Sequence, residues 1–203
     1  MLSLLTGDDA KAHGIVYREN FLSPSECDSL VACFQRCTGL LVRTGPDADP
    51  FWDNRFLWIT SLPDSEAKAR DLMNATRYRI IDELLSFYGE PRLYSDTIQI
   101  VRWNKGQSMP PHADNANPDG SDHITPWRAY ASVVYLNDEY EGGDIYFPRL
   151  STRIQPAKGL LLGFRGDFTH EHGVEEITDG TRYTMPGWYS REPEHQDSYA
   201  RDH

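Results

Sequence analysis

A mainly β fold with flanking helices, a sandwich or barrel such as a jelly roll, is predicted by three features of the chain. Residues 1–90 are helix-rich, whereas the remainder breaks into short apolar runs separated by turn chemistry, the cadence of layered β structure. Aromatic residues are plentiful, with five Trp, eleven Tyr and eight Phe in 203 residues, and aromatics favour sheets and lined pockets. No repeat, low-complexity tract or Pro/Gly/Ser-rich linker divides the chain. Residues 1–203 therefore read as one domain, with a helix-rich support region over 1–90 and a β core over 91–190.

Each element has its own signal. Ser23-Pro24-Ser25-Glu26 is a capping box with proline in the first turn, and it opens a helix to about Cys37. Leu30, Val31 and Phe34 share a face of that helix. Residues 53–60 contain a strand over 55–60. A long helix follows from about Ser65 to Tyr88, with Leu72, Ile80, Ile81, Leu84 and Leu85 as its apolar stripe and Gly89 as its stop. Strands are then expected at 92–103, 128–136, 143–147, 152–155, 159–164, 173–177 and 181–188. The breaks fall at Gly106, Asn137-Asp138, Gly142-Gly143, Pro156 and Asp179-Gly180. The helices are expected on one outer face of the β layers.

Composition removes several function classes. Lys and Arg total 20 against 31 Asp and Glu, a formal net charge of −11. With no Lys/Arg block to hold a phosphate backbone, a nucleic-acid partner is not expected. The longest apolar runs, such as 159–164, have strand length and fall short of a membrane span. The first nine residues lack a basic segment and soon meet Asp8 and Asp9, so a cytoplasmic protein is expected. Cys27, Cys33 and Cys37 lie on the first long helix and read as buried free thiols, with a thiolate metal site as the alternative. Nothing in the sequence sets an oligomeric state.

The chemistry lies in two segments. In Gly106-Gln-Ser-Met-Pro-Pro-His-Ala-Asp-Asn115, His112 and Asp114 stand two apart, so in an extended segment both point the same way. Alone, such a pair is also a loop histidine with a capping aspartate. The second segment, 169–182, offers His170 and His172. Either would complete two imidazoles and one carboxylate on one face of a metal, the arrangement of non-haem Fe(II) oxygenases with open positions opposite. Arg182 follows His172 by ten positions across a Thr-Asp-Gly turn, a spacing that suggests a return beside it on the neighbouring strand. A guanidinium there suits the far carboxylate of a dicarboxylate co-substrate. The plainer reading is a surface arginine paired with Glu175 or Asp179.

Taken in order, these motifs resemble the 2-oxoglutarate and Fe(II)-dependent oxygenases of the prolyl hydroxylase superfamily over about residues 92–188. The parts are an aromatic before a Gly-Gln turn, His112-x-Asp114, Tyr135-Leu-Asn-Asp138, Gly142-Gly-Asp-Ile-Tyr-Phe147, Pro156-Ala-Lys-Gly159, His172-Gly-Val174, Gly180-x-Arg182 and Trp188. Within the superfamily, 128–143 and His112-Ala-Asp-Asn115 are most similar to the prolyl 3-hydroxylase (leprecan) catalytic domain. The resemblance implies a double-stranded β-helix, a distorted cupin-like jelly roll with the N-terminal helices packed on its major sheet.

It also implies His112, Asp114 and His172 as iron ligands, with His170 as the rival, and Arg182 on the distal carboxylate of 2-oxoglutarate. Trp103 stands where the family commonly has a co-substrate-binding tyrosine, leaving Thr184, Tyr94 or Tyr135 to supply that contact. The implied reaction uses O2, with ascorbate as reductant. It hydroxylates an unactivated C–H bond of a prolyl, peptide or amino-acid-like substrate and releases succinate and CO2. Asp114 favours hydroxylation, since related halogenases lack this carboxylate. The loop after Asp114, which includes Asp119, Asp122 and His123, is expected to meet substrate, with Asn115, Trp127 and Arg128 as candidate contacts. The alternative reading is a non-enzymatic, cupin-like protein that holds a metal and a ligand. A nucleic-acid demethylase of the same superfamily would need the basic surface that the chain lacks.

Overall fold

Strand periodicity sorts the chain into two facing sheets backed by helices. The computed structural model describes residues 2–45 and 50–201. In chain order its elements begin with β1 (Ser3–Leu4), α1 (Gly7–Ala12), β2 (Val16–Arg18), α2 (Pro24–Arg36), β3 (Phe56–Trp58) and α3 (Ala67–Tyr88). They continue with β4 (Tyr94–Ser95), β5 (Gln99–Asn104), β6 (Met109–His112), β7 (Tyr130–Tyr135), β8 (Tyr140–Gly142), β9 (Ile145–Phe147) and β10 (Thr152–Ile154). Last come β11 (Leu161–Arg165), β12 (His172–Val174), β13 (Ile177–Ser190) and α4 (Ser198–Arg201).

The minor sheet runs β1-β10-β9-β12-β6 and the major sheet β2-β11-β7-β13-β5-β3, with β4 and β8 also paired to β13. Apart from the β9–β10 pair, sheet neighbours are distant in sequence, as a jelly roll requires, and the two sheets form the expected double-stranded β-helix. On β13, Tyr183, Met185 and Tyr189 point outward to the helices while Trp188 points between the sheets. Arg182 and Thr184, in phase with Trp188, are both buried on that inner face. Outside the major sheet, Leu30 and Phe34 of α2 and Ile80, Ile81 and Leu84 of α3 share one core with Ile100, Val134 and Leu161. The helices therefore pack on the major sheet, and the space between the sheets is left for the site.

The two long helices form where the sequence placed them, while the short α1 and α4 were not expected. Ser23 Oγ accepts from the Glu26 amide at 3.3 Å, and Glu26 accepts from the Ser23 amide at 2.7 Å. Such a cap contributes about 1 kcal/mol. Gly89 ends α3 in the left-handed region at φ 69°, a conformation open to glycine.

The strands depart from expectation in several places, and β1, β2 and β8 were not expected at all. Residues 59–61 leave β3 as a 3-10 turn. The run over 92–103 divides into β4 and β5 at Asp96, whose carboxylate accepts from the Thr97 amide at 2.8 Å and bends the chain. Asp179-Gly180 is no break. It lies inside β13, whose first residues pair with β8 while the rest pairs with β5 and β7. β6 was not foreseen as a strand, because Pro110 and Pro111 lack the amide a central strand needs; β6 lies at the sheet edge, where proline is tolerated.

Among the described residues no helix is long and apolar enough to cross a membrane. All three cysteines are free and buried. Sγ of Cys33 and Cys37 and a Glu66 oxygen come within 4.8 Å of one another. Glu66, however, is held by Arg36 at 2.7 and 2.8 Å, and burial pushes the Cys33 thiol up to about 12. This favours packed thiols over thiolate ligands.

Candidate metal centre

Two β strands and one turn bring His112, Asp114 and His172 together. His172 stands directly opposite His112 in the β12–β6 pairing. Immediately after β6, the Asp114 and Asn115 amides both donate to the Gly166 carbonyl, at 2.7 and 3.1 Å, which fixes the turn carrying the carboxylate. One donor atom from each of the three side chains lies within 4.8 Å of the others.

The surroundings leave the right atoms free. Nδ1 of His112 lies 3.2 Å from the Pro110 carbonyl, and Nδ1 of His172 lies 3.0 Å from the His170 carbonyl. A carbonyl only accepts, so Nδ1 carries the proton in each ring and Nε2 keeps a free lone pair. Burial drives the His172 pKa down to about 4, with Asp114 opposing, so this imidazole is neutral at pH 7. Asp114 Oδ1 accepts from the Trp188 indole N–H at 2.8 Å. Its Oδ2 is buried without a hydrogen-bond partner, 3.9 Å from His172 Nε2. Two nitrogen lone pairs and one orphaned carboxylate oxygen converging on a point suit a divalent iron with open positions.

His170 lies outside this cluster. Its Nε2 faces the His13 carbonyl at 3.0 Å, and the ring lies 6.3 and 6.4 Å from those of Phe147 and Phe164.

Arg182 is 2% exposed, and its Nε and Nη1 have no hydrogen-bond partner. The surface-pair reading fails, because Asp179 pairs with Lys105 at 3.2 Å and Glu175 approaches Arg153 at 3.8 Å. The strand assignment also needs correction. Arg182 lies on β13 of the major sheet and His172 on β12 of the minor sheet, so they belong to opposing sheets and not to adjacent strands. The Asp179-Gly180 segment continues β13 and does not turn the chain back.

The guanidinium carbon lies 5.2 Å from the Trp103 ring centre and 5.0 Å from that of Tyr135. Burial raises the phenol pKa of Tyr135 and of Tyr140, with Arg182 opposing, which keeps both as neutral donors. Neither hydroxyl makes a hydrogen bond of ordinary geometry. A buried cation and two unsatisfied hydroxyls form a pocket complementary to a carboxylate. Thr184 is buried two residues along β13 from Arg182, on the same face. Tyr94, on β4, is half-buried and 3.5 Å from Arg92.

Sequence reasoning missed Tyr140 and Trp188 as site groups. Gly143 was the available signal for the first. A Cβ there would stand 2.4 Å from Ile177, 3.3 Å from Tyr140 and 3.4 Å from Arg182, so only a bare Cα admits these side chains.

The three residues expected to meet substrate are tied to the protein itself. Arg128 pairs with Asp96 at 3.0 Å and lies 4.1 Å over the Trp188 ring, so its guanidinium is already engaged. The Asn115 amide donates to the Arg128 carbonyl at 3.0 Å, and Trp127 stacks on His195 at 4.1 Å. Between Asn115 and Trp127, Asp119 accepts from Ser121, and His123 accepts from the Thr125 amide. Asp122 is exposed, with its carbonyl bound by the Asn117 amide.

Known proteins resemble the chain over this region. The chain is 32% identical over 102 residues to prolyl 3-hydroxylase 3 of Homo sapiens, a match covering 44% of this chain and 14% of that relative. It therefore spans a small part of the curated relatives it matches. Two solved structures share the fold. A prolyl hydroxylase from Trichoplax adhaerens, in complex with a hypoxia inducible factor oxygen degradation domain peptide fragment, superposes with a TM-score of 0.72 and 19% identity, covering 93% of this chain and 88% of that one. The 2OG complex of the viral collagen prolyl hydroxylase of Paramecium Bursaria Chlorella virus-1 gives 0.62 and 21%, covering 87% and 94%. Residues 98–190, which hold all three candidate ligands and Arg182, match the 2OG-Fe(II) oxygenase superfamily.

Proposed function

We propose that the chain is an Fe(II)- and 2-oxoglutarate-dependent dioxygenase that hydroxylates an unactivated C–H bond of a prolyl, peptide or amino-acid-like substrate. One observation carries the reading: three converging donor atoms with free lone pairs share the sheet interior with a buried guanidinium that has no ion-pair partner among the described residues. A metal-binding protein of cupin type has no need for that second feature.

His112 and His172 through Nε2, and Asp114 through Oδ2, would hold the iron. With the metal and co-substrate bound, the chemistry is oxidative decarboxylation of 2-oxoglutarate to succinate and CO2, with the second atom of O2 entering the C–H bond. The chain's own groups do the positioning. Trp188 restrains Asp114 so that one oxygen is directed to the metal. Arg182 neutralises the distal carboxylate of the co-substrate, and Tyr135 and Tyr140 donate to it. Thr184 and the ring of Trp103 complete the wall. Sheet burial keeps water from these charges, which strengthens each contact.

For the substrate, the relative's name and the peptide complex of the Trichoplax protein favour a prolyl residue in a peptide. A groove of about 420 Å³ beside β6 and β12 adds to this. It offers Met109, Pro110, Tyr146 and Val174 as apolar walls and Glu175 and Glu176 as an acidic rim. Such a groove suits an extended apolar segment with a basic flank.

The test is succinate formation from 2-oxoglutarate with Fe(II) and ascorbate, across proline-containing peptides and free amino acids. Peptide-dependent turnover is expected, lost in His172→Ala, with a rise of roughly 100-fold in the 2-oxoglutarate Kd in Arg182→Gln. Metal binding without any 2-oxoglutarate binding would leave the cupin-type reading standing instead.

A further inference from the structure

A second arginine lies beside the co-substrate pocket, outside the matched domain. Arg55, at the start of β3, is 1% exposed. Its Nε and Nη1 donate to the Arg102 and Phe51 carbonyls at 3.1 Å, but Nη2 is buried and has no partner. The guanidinium carbon lies 4.1 Å from the Phe51 ring centre, 5.1 Å from Trp52 and 4.2 Å from Trp103. Trp103 is the same indole that Arg182 contacts at 5.2 Å. Two buried guanidiniums thus share one indole, and among the described residues neither has a carboxylate at ion-pair distance.

Such an arrangement is costly when left alone. A buried charge requires a counter-charge, and two like charges in a dry environment repel. Aromatic faces and backbone carbonyls relieve part of the cost for Arg55, but a ring and a peptide carry no net charge. Burial, with the charges of Arg182 and Arg102 adding to it, lowers the Arg55 pKa to about 10.

We infer that Arg55 is a positioning residue for the co-substrate: acting through Trp103 and by its field, it completes a doubly cationic site that the distal carboxylate of a dicarboxylate partly neutralises and that a 2-oxoacid without one leaves unchanged. The inference rests on the reading that Arg182 receives the distal carboxylate of 2-oxoglutarate. It assigns the N-terminal region a part in selecting the co-substrate, because a 2-oxoacid lacking the second carboxylate leaves both cations uncompensated. A unit charge acting over about 10 Å at an effective dielectric of about 20 changes binding roughly tenfold.

Calorimetric titration of the Mn(II)-loaded protein with 2-oxoglutarate and, in parallel, 2-oxobutyrate separates the possibilities. The two ligands share the metal-binding head and differ in the distal carboxylate. In Arg55→Met, whose thioether suits the aromatic surroundings, the 2-oxoglutarate Kd is expected to rise roughly tenfold. The 2-oxobutyrate Kd should stay within about twofold, and Arg55→Lys should restore most of the difference. Arg55→Gln replaces the methionine variant if that one does not fold. Equal weakening of both ligands would mean a merely structural role and would overturn the inference. So would 2-oxoglutarate binding as tight as wild type. Wild-type protein that binds 2-oxoglutarate no better than 2-oxobutyrate would overturn the Arg182 reading as well, and Arg182→Gln in the same titration distinguishes the two failures.

Discussion

Replacing Trp188 by phenylalanine isolates one hydrogen bond. The indole N–H donates to Asp114 Oδ1 at 2.8 Å, while Oδ2 has no partner. Phenylalanine keeps an aromatic ring under Arg128, which lies 4.1 Å from the indole, so that contact weakens by at most about 1 kcal/mol. The carboxylate loses its only side-chain donor among the described residues. A hydrogen bond to a charged acceptor is worth about 1.5–3 kcal/mol, and loss of a group that orients a metal ligand costs about 10- to 100-fold in metal affinity. Mn(II) titration of the metal-free protein is the assay, with the circular dichroism spectrum as the control for folding. The expected outcome is a rise in the Mn(II) Kd of roughly 10- to 100-fold with an unchanged spectrum. A Kd within about twofold of wild type would show that Asp114 is oriented without the indole and would refute the reasoning.

Other consequences are open to direct measurement. His170→Ala should leave Mn(II) affinity nearly unchanged while lowering stability by about 1–3 kcal/mol in urea unfolding, since it removes a buried ring whose partner is the His13 carbonyl. Ser23→Ala should cost about 1 kcal/mol in the same assay by opening the α2 capping box, without altering 2-oxoglutarate binding. The metal-free protein should lose stability as the pH falls from about 6.5 towards 4. Burial holds the His172 pKa near 4 in the folded state, below its unfolded value of 6.5, so the unfolded chain takes up the proton first. The sign is therefore destabilising on acidification, by up to about 3 kcal/mol, and His172→Gln should flatten that segment of the pH–stability curve.

Features set by local chemistry were legible in the sequence. Ser23-Pro-Ser-Glu26 satisfies its own amides, and Gly89 can end α3 because its backbone tolerates positive φ. The two-residue spacing marked His112 and Asp114 as a pair, although Asp114 lies in the bend after β6 and is held there by the Gly166 carbonyl, and Arg182 stood out by its spacing from His172. The remainder depends on partners distant along the chain. β6 was hidden by two prolines whose missing amides matter only in a central strand, and edge position is not written locally. Asp179-Gly180 has turn chemistry, yet pairing with β8 on one side carries the strand through it. Trp188 is one of the ordered motifs, but its role shows only once the fold places its N–H against Asp114, 74 residues earlier. Arg55 carries no motif. Its significance comes from an indole on β5, the strand that pairs with β3.

β13 continues for 14 residues, and it carries Arg182 and Trp188 on the same inner face. Six residues of extended chain span about 20 Å, so the anion-binding end and the group steadying the metal ligand are spaced by one ruled length of backbone. The spacing tolerates substitution but not a change of count. Deleting a single residue between them would turn Trp188 towards the helices and carry the hydroxyphenyl of Tyr189 into the interior. Length variation in relatives of this chain should therefore fall in the loops around β13 and spare 182–188, where one lost peptide unit would disconnect co-substrate from metal while leaving every ligand in place.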